Sequence, residues 1–178
     1  MRIISGKYKG RLIHPPKNLR ARPTTDFAKE NLFNILNNWI DFEGIDMLDL
    51  FAGTGSISYE FVSRGAQTVT AVEVNAVHVN FIKDTAKILG SDNLIVVRAN
   101  AFLYVKSVKK QFDVIFADPP YDTKDSETLP DLVFEHDILR QEGLFILEHS
   151  KNLAFGGHPY FLESRSYGSV QFSIFKKN

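Results

Sequence analysis

The chain has 178 residues, 44% of them apolar and 24% charged, which suits one domain with a sizeable core of its own. It contains no cysteine, which excludes a disulfide framework and any thiolate metal site, and no stretch approaches the ~20 apolar residues of a membrane span. The formal net charge is zero but unevenly spread. Residues 1–25 carry Arg2, Lys7, Lys9, Arg11, Lys17, Arg20 and Arg22 and no acid, leaving 14 basic against 21 acidic groups, net −7, in the rest. Such asymmetry reads either as an arm for an anionic partner or as a solvated basic tail. The opening residues lack the apolar core of a secretory signal, so a cytoplasmic protein is expected.

In chain order, residues 2–13 read as a short hairpin around Gly6, and His14 to Arg22 as a basic, proline-rich ordered loop. Thr24, Thr25 and Asp26 can cap a helix marked by Ala28, Leu32, Ile35 or Leu36, Trp39 and Ile40, with Trp39 and most phenylalanines assigned to the core. Strand and helix then alternate. Strands are predicted at Met47–Phe51, Thr68–Val72, Leu94–Val97, Phe112–Ala117 and Leu144–Glu148, with helices at Ser56–Ser63, Ala76–Leu89, Ala101–Val108 and, largely, Thr128–Leu139. Two closing strands, Tyr160–Ser164 and Val170–Phe175, flank Gly168. This order predicts an α/β sheet, mainly parallel with an antiparallel end. Strands this apolar fit burial on both faces.

The first sheet strand runs into Asp49-Leu-Phe-Ala-Gly53-Thr-Gly55-Ser-Ile-Ser58. Gly53 and Gly55 allow a tight turn and close backbone approach to a ligand, at the carboxyl edge where open α/β sheets bind. A dinucleotide fingerprint would place a third glycine at Ser58, and a carboxylate at Asp49 would repel pyrophosphate. The same carboxylate can receive an ammonium group, which favours the methionine part of S-adenosylmethionine over NAD. Glu73 ends the second strand 24 residues later, where an acid can accept both ribose hydroxyls of a nucleoside. Asn100, after the third strand, can hydrogen-bond adenine, although alone it reads as a turn residue.

Asp118-Pro119-Pro120-Tyr121 follows the apolar strand Val114–Ala117. Two prolines fix the backbone and remove two amide donors, leaving acceptors exposed. The Asp118 carboxylate and the Pro119 carbonyl can grip the hydrogens of an exocyclic amine, turn its lone pair toward a methyl donor and stabilise charge developing on nitrogen. Tyr121 offers a face for stacking the base. A base held in a helix must first be flipped out, and the basic arm can grip its flanking phosphates.

These motifs resemble the RsmD-type methyltransferases, which make N2-methylguanine in small-subunit (16S) ribosomal RNA. The resemblance runs through Arg2–Arg11, Arg22-Pro23-Thr24-Thr25-Asp26, Glu30, Leu32-Phe33-Asn34, Asp49–Gly55, Ser63–Ala66, Glu73, Asn100-Ala101 and Asp118–Tyr121. It implies a Rossmann-like class I fold, seven-stranded and mainly parallel with an antiparallel last strand, preceded by a hairpin and a helix. Residues 1–25 become a basic arm of the same domain, and 26–178 the methyltransferase domain. The implied cofactor is S-adenosylmethionine, held by Asp49, Phe51, Gly53, Gly55, Glu73, Asn100 and Ala101. Asp118, Pro119, Pro120 and Tyr121 would hold the guanine. Arg2, Lys7, Lys9, Arg11, Arg20 and Arg22 would contact ribosomal RNA or the small subunit. No metal is expected to take part, no membrane, and a monomer is the expected state. Ser5 and Ser58 replace frequent glycines, and Phe27 stands where a basic residue is frequent. Ser58 is expected to loosen helix–strand packing, and Phe27 to remove one RNA contact.

An adenine-N6 methyltransferase of DNA or RNA is the nearest alternative, and protein glutamine methylation poses a similar amide problem. A binding-only RNA module would keep the arm without needing Glu73 or Asp118. An NAD-linked dehydrogenase would need pyrophosphate room at Asp49. The five histidines show no ligand spacing.

Overall fold

The computed structural model describes residues 1–16, 19, 26–120, 125–168 and 170–178. Its frame is one seven-stranded sheet in the order β3-β2-β1-β4-β5-β7-β6. The strands are β1 (Asp46–Leu50), β2 (Thr68–Glu73), β3 (Leu94–Arg98), β4 (Phe112–Ala117), β5 (Leu139–His149), β6 (Phe161–Tyr167) and β7 (Val170–Lys176). The first five run parallel, and β7 alone is reversed, pairing antiparallel with both β5 and β6. This is the predicted architecture.

The apolar runs divide by alternation. Met47, Val69, Ala71, Val114, Phe116, Leu144 and Ile146 face one core together with α1 (Asp26–Leu36), α2 (Ser56–Ser63) and α3 (Ala76–Leu89). Leu48, Leu50, Val72, Ile115, Ala117, Phe145 and Leu147 face the other, under α4 (Ala101–Ser107) and α5 (Leu129–Glu135). Successive side chains point to opposite faces, so a strand covered on both sides is apolar at every position. Burial is complete in β1. Helix ends follow local chemistry. Asn75 caps α3 by accepting the Val77 N–H, and Gly90 closes it in the left-handed region. No helix of the described residues is long and apolar enough to cross a membrane.

The structure departs from the sequence expectations at several element ends and at Trp39. The first helix stops at Leu36 rather than Ile40, because Asn38 and Trp39 close a tighter turn onto Ile35 and Leu36. Trp39 is consequently 44% exposed and not core. Thr128–Leu139 is largely helical as expected but only to Glu135: a 3-10 turn at Ser126–Thr128 leads into α5, and Leu139 already opens β5. The break falls where Asp137 takes a positive φ of 52°. β5 thus begins well before Leu144, and β6 runs on to Tyr167.

The N-terminal hairpin closes through an antiparallel bridge between Arg2 and Leu12 and docks on α2. Ile4 and Ser5 donate their N–H groups to the two oxygens of the fully buried Glu60, which also pairs with Arg64 at 3.0 Å. Lys7 N–H meets the Ser63 carbonyl at 2.7 Å, and Tyr8 N–H meets Ser63 Oγ at 2.9 Å. Gly6 is required here: its φ is +80°, and a Cβ would lie 1.8 Å from the Ser63 carbonyl oxygen. Ile3, Tyr8 and Ile13 join the core of the α1–α3 face.

Candidate active site

The sheet order reverses between β1 and β4: β2 and β3 extend to one side, β4 and β5 to the other. Such a switch point opens a crevice beyond the carboxyl ends of the strands. The motifs read from the sequence all leave from this edge. The glycine loop follows Leu50, and the Asp118 turn follows Ala117. These two residues are register partners in adjacent strands. The Asp118 N–H reaches back to the Leu50 carbonyl at 3.4 Å. Glu73 ends β2 on the other flank of β1, and Asn100 follows β3.

The loop is held in an unusual backbone shape. Phe51 has φ 62°, Gly53 55° and Gly55 82°. Phe51 is the informative one, because a side chain in the left-handed region costs about 1–3 kcal/mol and persists where its surroundings over-determine it. Its ring meets Phe102 of α4 edge-on, 5.7 Å between centroids. The Ala52 N–H is held by the Val72 carbonyl at 3.0 Å, and the Gly55 N–H by the Ala52 carbonyl at 2.7 Å. At Gly55 a Cβ would lie 2.8 Å from the buried ring of Tyr59. Glycine is therefore demanded there by both conformation and space.

Two acids hold this loop from below. Glu73 Oε2 accepts the Gly53 N–H at 2.8 Å, and Oε1 accepts the Asn75 N–H at 2.8 Å. Asp49 is 2% exposed, and its Oδ2 accepts both the N–H and the hydroxyl of Ser58, at 3.1 and 2.5 Å. Burial pushes the Asp49 carboxyl up to about 7, with the Ser58 bonds opposing the rise and the nearby Glu73 charge adding to it. Ser58, expected to loosen the packing, is fully buried and ties α2 to β1 through these bonds. Asn100 caps α4: its side-chain oxygen accepts the Leu103 N–H at 3.2 Å, with Ala101 buried as the first helical residue.

Asp118 is half-buried, Pro119 buried and Pro120 exposed. Tyr121 lies outside the described residues, as do Arg20 and Arg22. Arg2, Lys7, Lys9 and Arg11 are exposed on the hairpin. Phe27, in the first turn of α1, is 67% exposed and meets Tyr167 edge-on at 6.4 Å.

Sequence reasoning missed Lys29. Its side chain is 1% exposed, and Nζ donates to the Arg2 carbonyl at 2.7 Å and to Ser56 Oγ at 3.3 Å. It thereby bridges the hairpin, α1 and the first residue of α2 after the glycine loop. Burial pushes its pKa down, opposed by Glu60 and Asp26. A signal existed: Lys29 shares the i, i+3, i+4, i+7 stripe of Leu32, Phe33 and Leu36, where a charge is out of place. Glu60 was missed for a different reason, since its partners lie more than fifty residues away in sequence.

A family model described as conserved hypothetical protein 95 matches residues 1–176. The chain is 32% identical over 184 residues to the putative rRNA methyltransferase YlbH of Bacillus subtilis, covering 99% of each. It is 34% identical over 151 residues to ribosomal RNA small subunit methyltransferase D of Escherichia coli K12, covering 83% of this chain and 74% of that one. Among solved structures, the putative methyltransferase yhhF from Escherichia coli superposes with a TM-score of 0.87 at 27% identity, covering 100% and 98% of the two chains.

Proposed function

The chain belongs to the RsmD-type family of ribosomal RNA small subunit methyltransferase D, and on that premise we propose that it methylates the exocyclic N2 amine of a guanine in 16S ribosomal RNA, with S-adenosylmethionine as donor. When bound, S-adenosylmethionine supplies a methyl group already activated on a sulfonium sulfur. The residues present suit it. A glycine loop that admits no Cβ at Gly55 makes room for close backbone approach. Beneath that loop lies a buried acid, Asp49, whose charged form a cation would favour.

In this reading Glu73 accepts the ribose hydroxyls. Its oxygens each serve one backbone amide, and a carboxylate has about four acceptor positions. Asn100 keeps its carbonyl on the α4 cap and turns its amide NH2 to the adenine, alongside Ala101. Phe51 and Gly53 shape the loop. The Asp118 carboxylate and the Pro119 carbonyl accept the two hydrogens of the target amine, and Pro120 stiffens the turn. Tyr121 stacks the base. Most of the acceleration then comes from positioning, which supplies up to roughly 7–11 kcal/mol in favourable cases. Arg2, Lys7, Lys9, Arg11, Arg20 and Arg22 grip the phosphates around the flipped nucleotide.

One observation carries the proposal: the glycine loop and the Asp118 turn leave adjacent, in-register strands at one edge, bridged by the Asp118 N–H and the Leu50 carbonyl. Donor and amine can therefore meet in a single crevice. The test is a mass-spectrometric map of methylated nucleotides in 16S rRNA from cells with and without the gene. Loss of one N2-methylguanosine is expected. An unchanged map would overturn the assignment.

A further inference from the structure

A buried acid that the proposed reaction does not use stands on the strand next to Asp118. Glu148 is 3% exposed and belongs to β5, which runs beside β4 on the side away from β1. Phe116 pairs with Ile146, and both lie in the core of the α1–α3 face. Ala117 pairs with Leu147, and both lie in the opposite core. Alternation therefore returns the next residues, Asp118 and Glu148, to the α1–α3 face. Phe172, the register partner of Glu148 on β7, lies in that same core. Asp49 and Glu73 share this face by the same count from Met47 and Ala71. His149 points the other way. Its ring nitrogens meet the Ser150 carbonyl at 2.7 Å and Ser173 Oγ at 2.8 Å, and its ring packs edge-on to Phe155, which anchors the strand end.

We infer that Glu148 reads the ring edge beside the target amine and selects guanine over adenine, an inference that rests on the amine-methylation reading above. The order β2-β1-β4-β5 sets the direction. The donor lies over β1 and the amine at Asp118. The ring carrying that amine must extend away from the donor, toward β5. Beside its N2 amine guanine presents N1–H, a donor. Beside its N6 amine adenine presents N1 as a lone pair. A carboxylate at Glu148 accepts the first and repels the second. Glu148 is engaged within the protein, and its two oxygens offer about four acceptor positions, so one N–H more can be taken. A site built to pair a substrate N–H discriminates strongly against an analogue that lacks it.

The test uses the full-length enzyme and labelled S-adenosylmethionine. The substrates are small subunits whose mapped target nucleotide is guanine or has been changed to adenine. The wild-type enzyme should prefer guanine by about a hundredfold or more, and E148Q, whose amide can donate to adenine N1, should bring the ratio below about tenfold. A purely structural role for Glu148 would lower both rates together. An unchanged ratio, at full or reduced rate, overturns the inference. If E148Q is inactive on both RNAs, E148D decides: a guanine-to-adenine ratio that falls as the carboxylate is withdrawn supports the inference, and a ratio equal to wild type overturns it. Absence of N2-methylguanosine with the wild-type enzyme overturns the parent reading along with this one. Its presence with an unchanged ratio overturns this one alone.

Discussion

The two edges of the sheet treat their acids in opposite ways. At the amino edge, Asp46 is ringed by Lys110 at 2.8 Å, Arg140 at 2.8 Å and the Thr68 hydroxyl, while Asp113 takes Arg140 at 2.6 Å and the Asp46 N–H at 2.8 Å. Burial alone would raise the pKa of Asp46, but the hydrogen bonds from Lys110, Thr68 and Arg140 outweigh it and hold the carboxyl below its ordinary value. At the carboxyl edge, Asp49 and Glu73 are held by backbone N–H groups and a serine hydroxyl instead of by lysine or arginine. The first arrangement is satisfied within the chain and contributes stability. The second leaves its acids under a strained loop with no lysine or arginine among the described residues paired to them, which suits a site that receives a cation.

The largest effect that can break this contrast is expected at Asp118. Asp118→Ala should lower kcat about 10²–10³-fold in a labelled-methyl transfer assay, by analogy with loss of a charge-stabilising group elsewhere. Its melting temperature should stay close to wild type. A normal rate would remove the proposed mechanism.

Next in size is Glu60→Ala, away from both edges. It orphans the Ile4 and Ser5 N–H groups and removes the ion pair to Arg64, and should cost about 1–3 kcal/mol in urea unfolding. Binding of rRNA should weaken as the hairpin loosens. Unchanged stability would mean that the arm docks without these bonds.

The two acids should then show opposite pH signs. The carboxyl of Asp49 is raised to about 7, so its contribution to stability is greatest at low pH and falls as pH rises from the ordinary carboxylate range toward 7. A bound cation favours its ionised form. Affinity for S-adenosylmethionine should therefore rise with pH, by at most about tenfold per unit up to pH 7, and then level. Calorimetry in buffers of different ionisation enthalpy would detect the released proton, and Asp49→Asn should abolish it. Asp46 is lowered, so its contribution is present above the ordinary carboxylate value and is lost as pH falls through its folded value.

The smallest effect follows from that last point. Arg140→Met should leave methyl transfer near wild type and shift the acid-unfolding midpoint to higher pH, because Asp46 and Asp113 lose a shared partner. A change in activity larger than the change in acid stability would blur the division between the edges.

Much of this molecule was legible beforehand, for local reasons. Helices Ser56–Ser63 and Ala76–Leu89 and strand Phe112–Ala117 carry the predicted boundaries, because glycine, asparagine caps and proline turns act within a few residues. The glycine loop, Glu73 and the Asp118 turn were found as motifs, and parallel pairing brings them to one edge. The length of α5, the exposure of Trp39 and the role of Ser58 were misread, since each depends on what packs against it.

Composition, periodicity and turn chemistry thus determined most of the elements, the sheet class and the edge to which the glycine loop, Glu73 and the Asp118 turn belong, because those properties follow from neighbours along the chain. Only the tertiary structure decided that Glu60 clamps the hairpin, that Lys29 bridges three segments, and that Glu148 shares a face with Asp118. Such relations join residues up to more than fifty positions apart, and their strength comes from burial, which a lone sequence position does not carry.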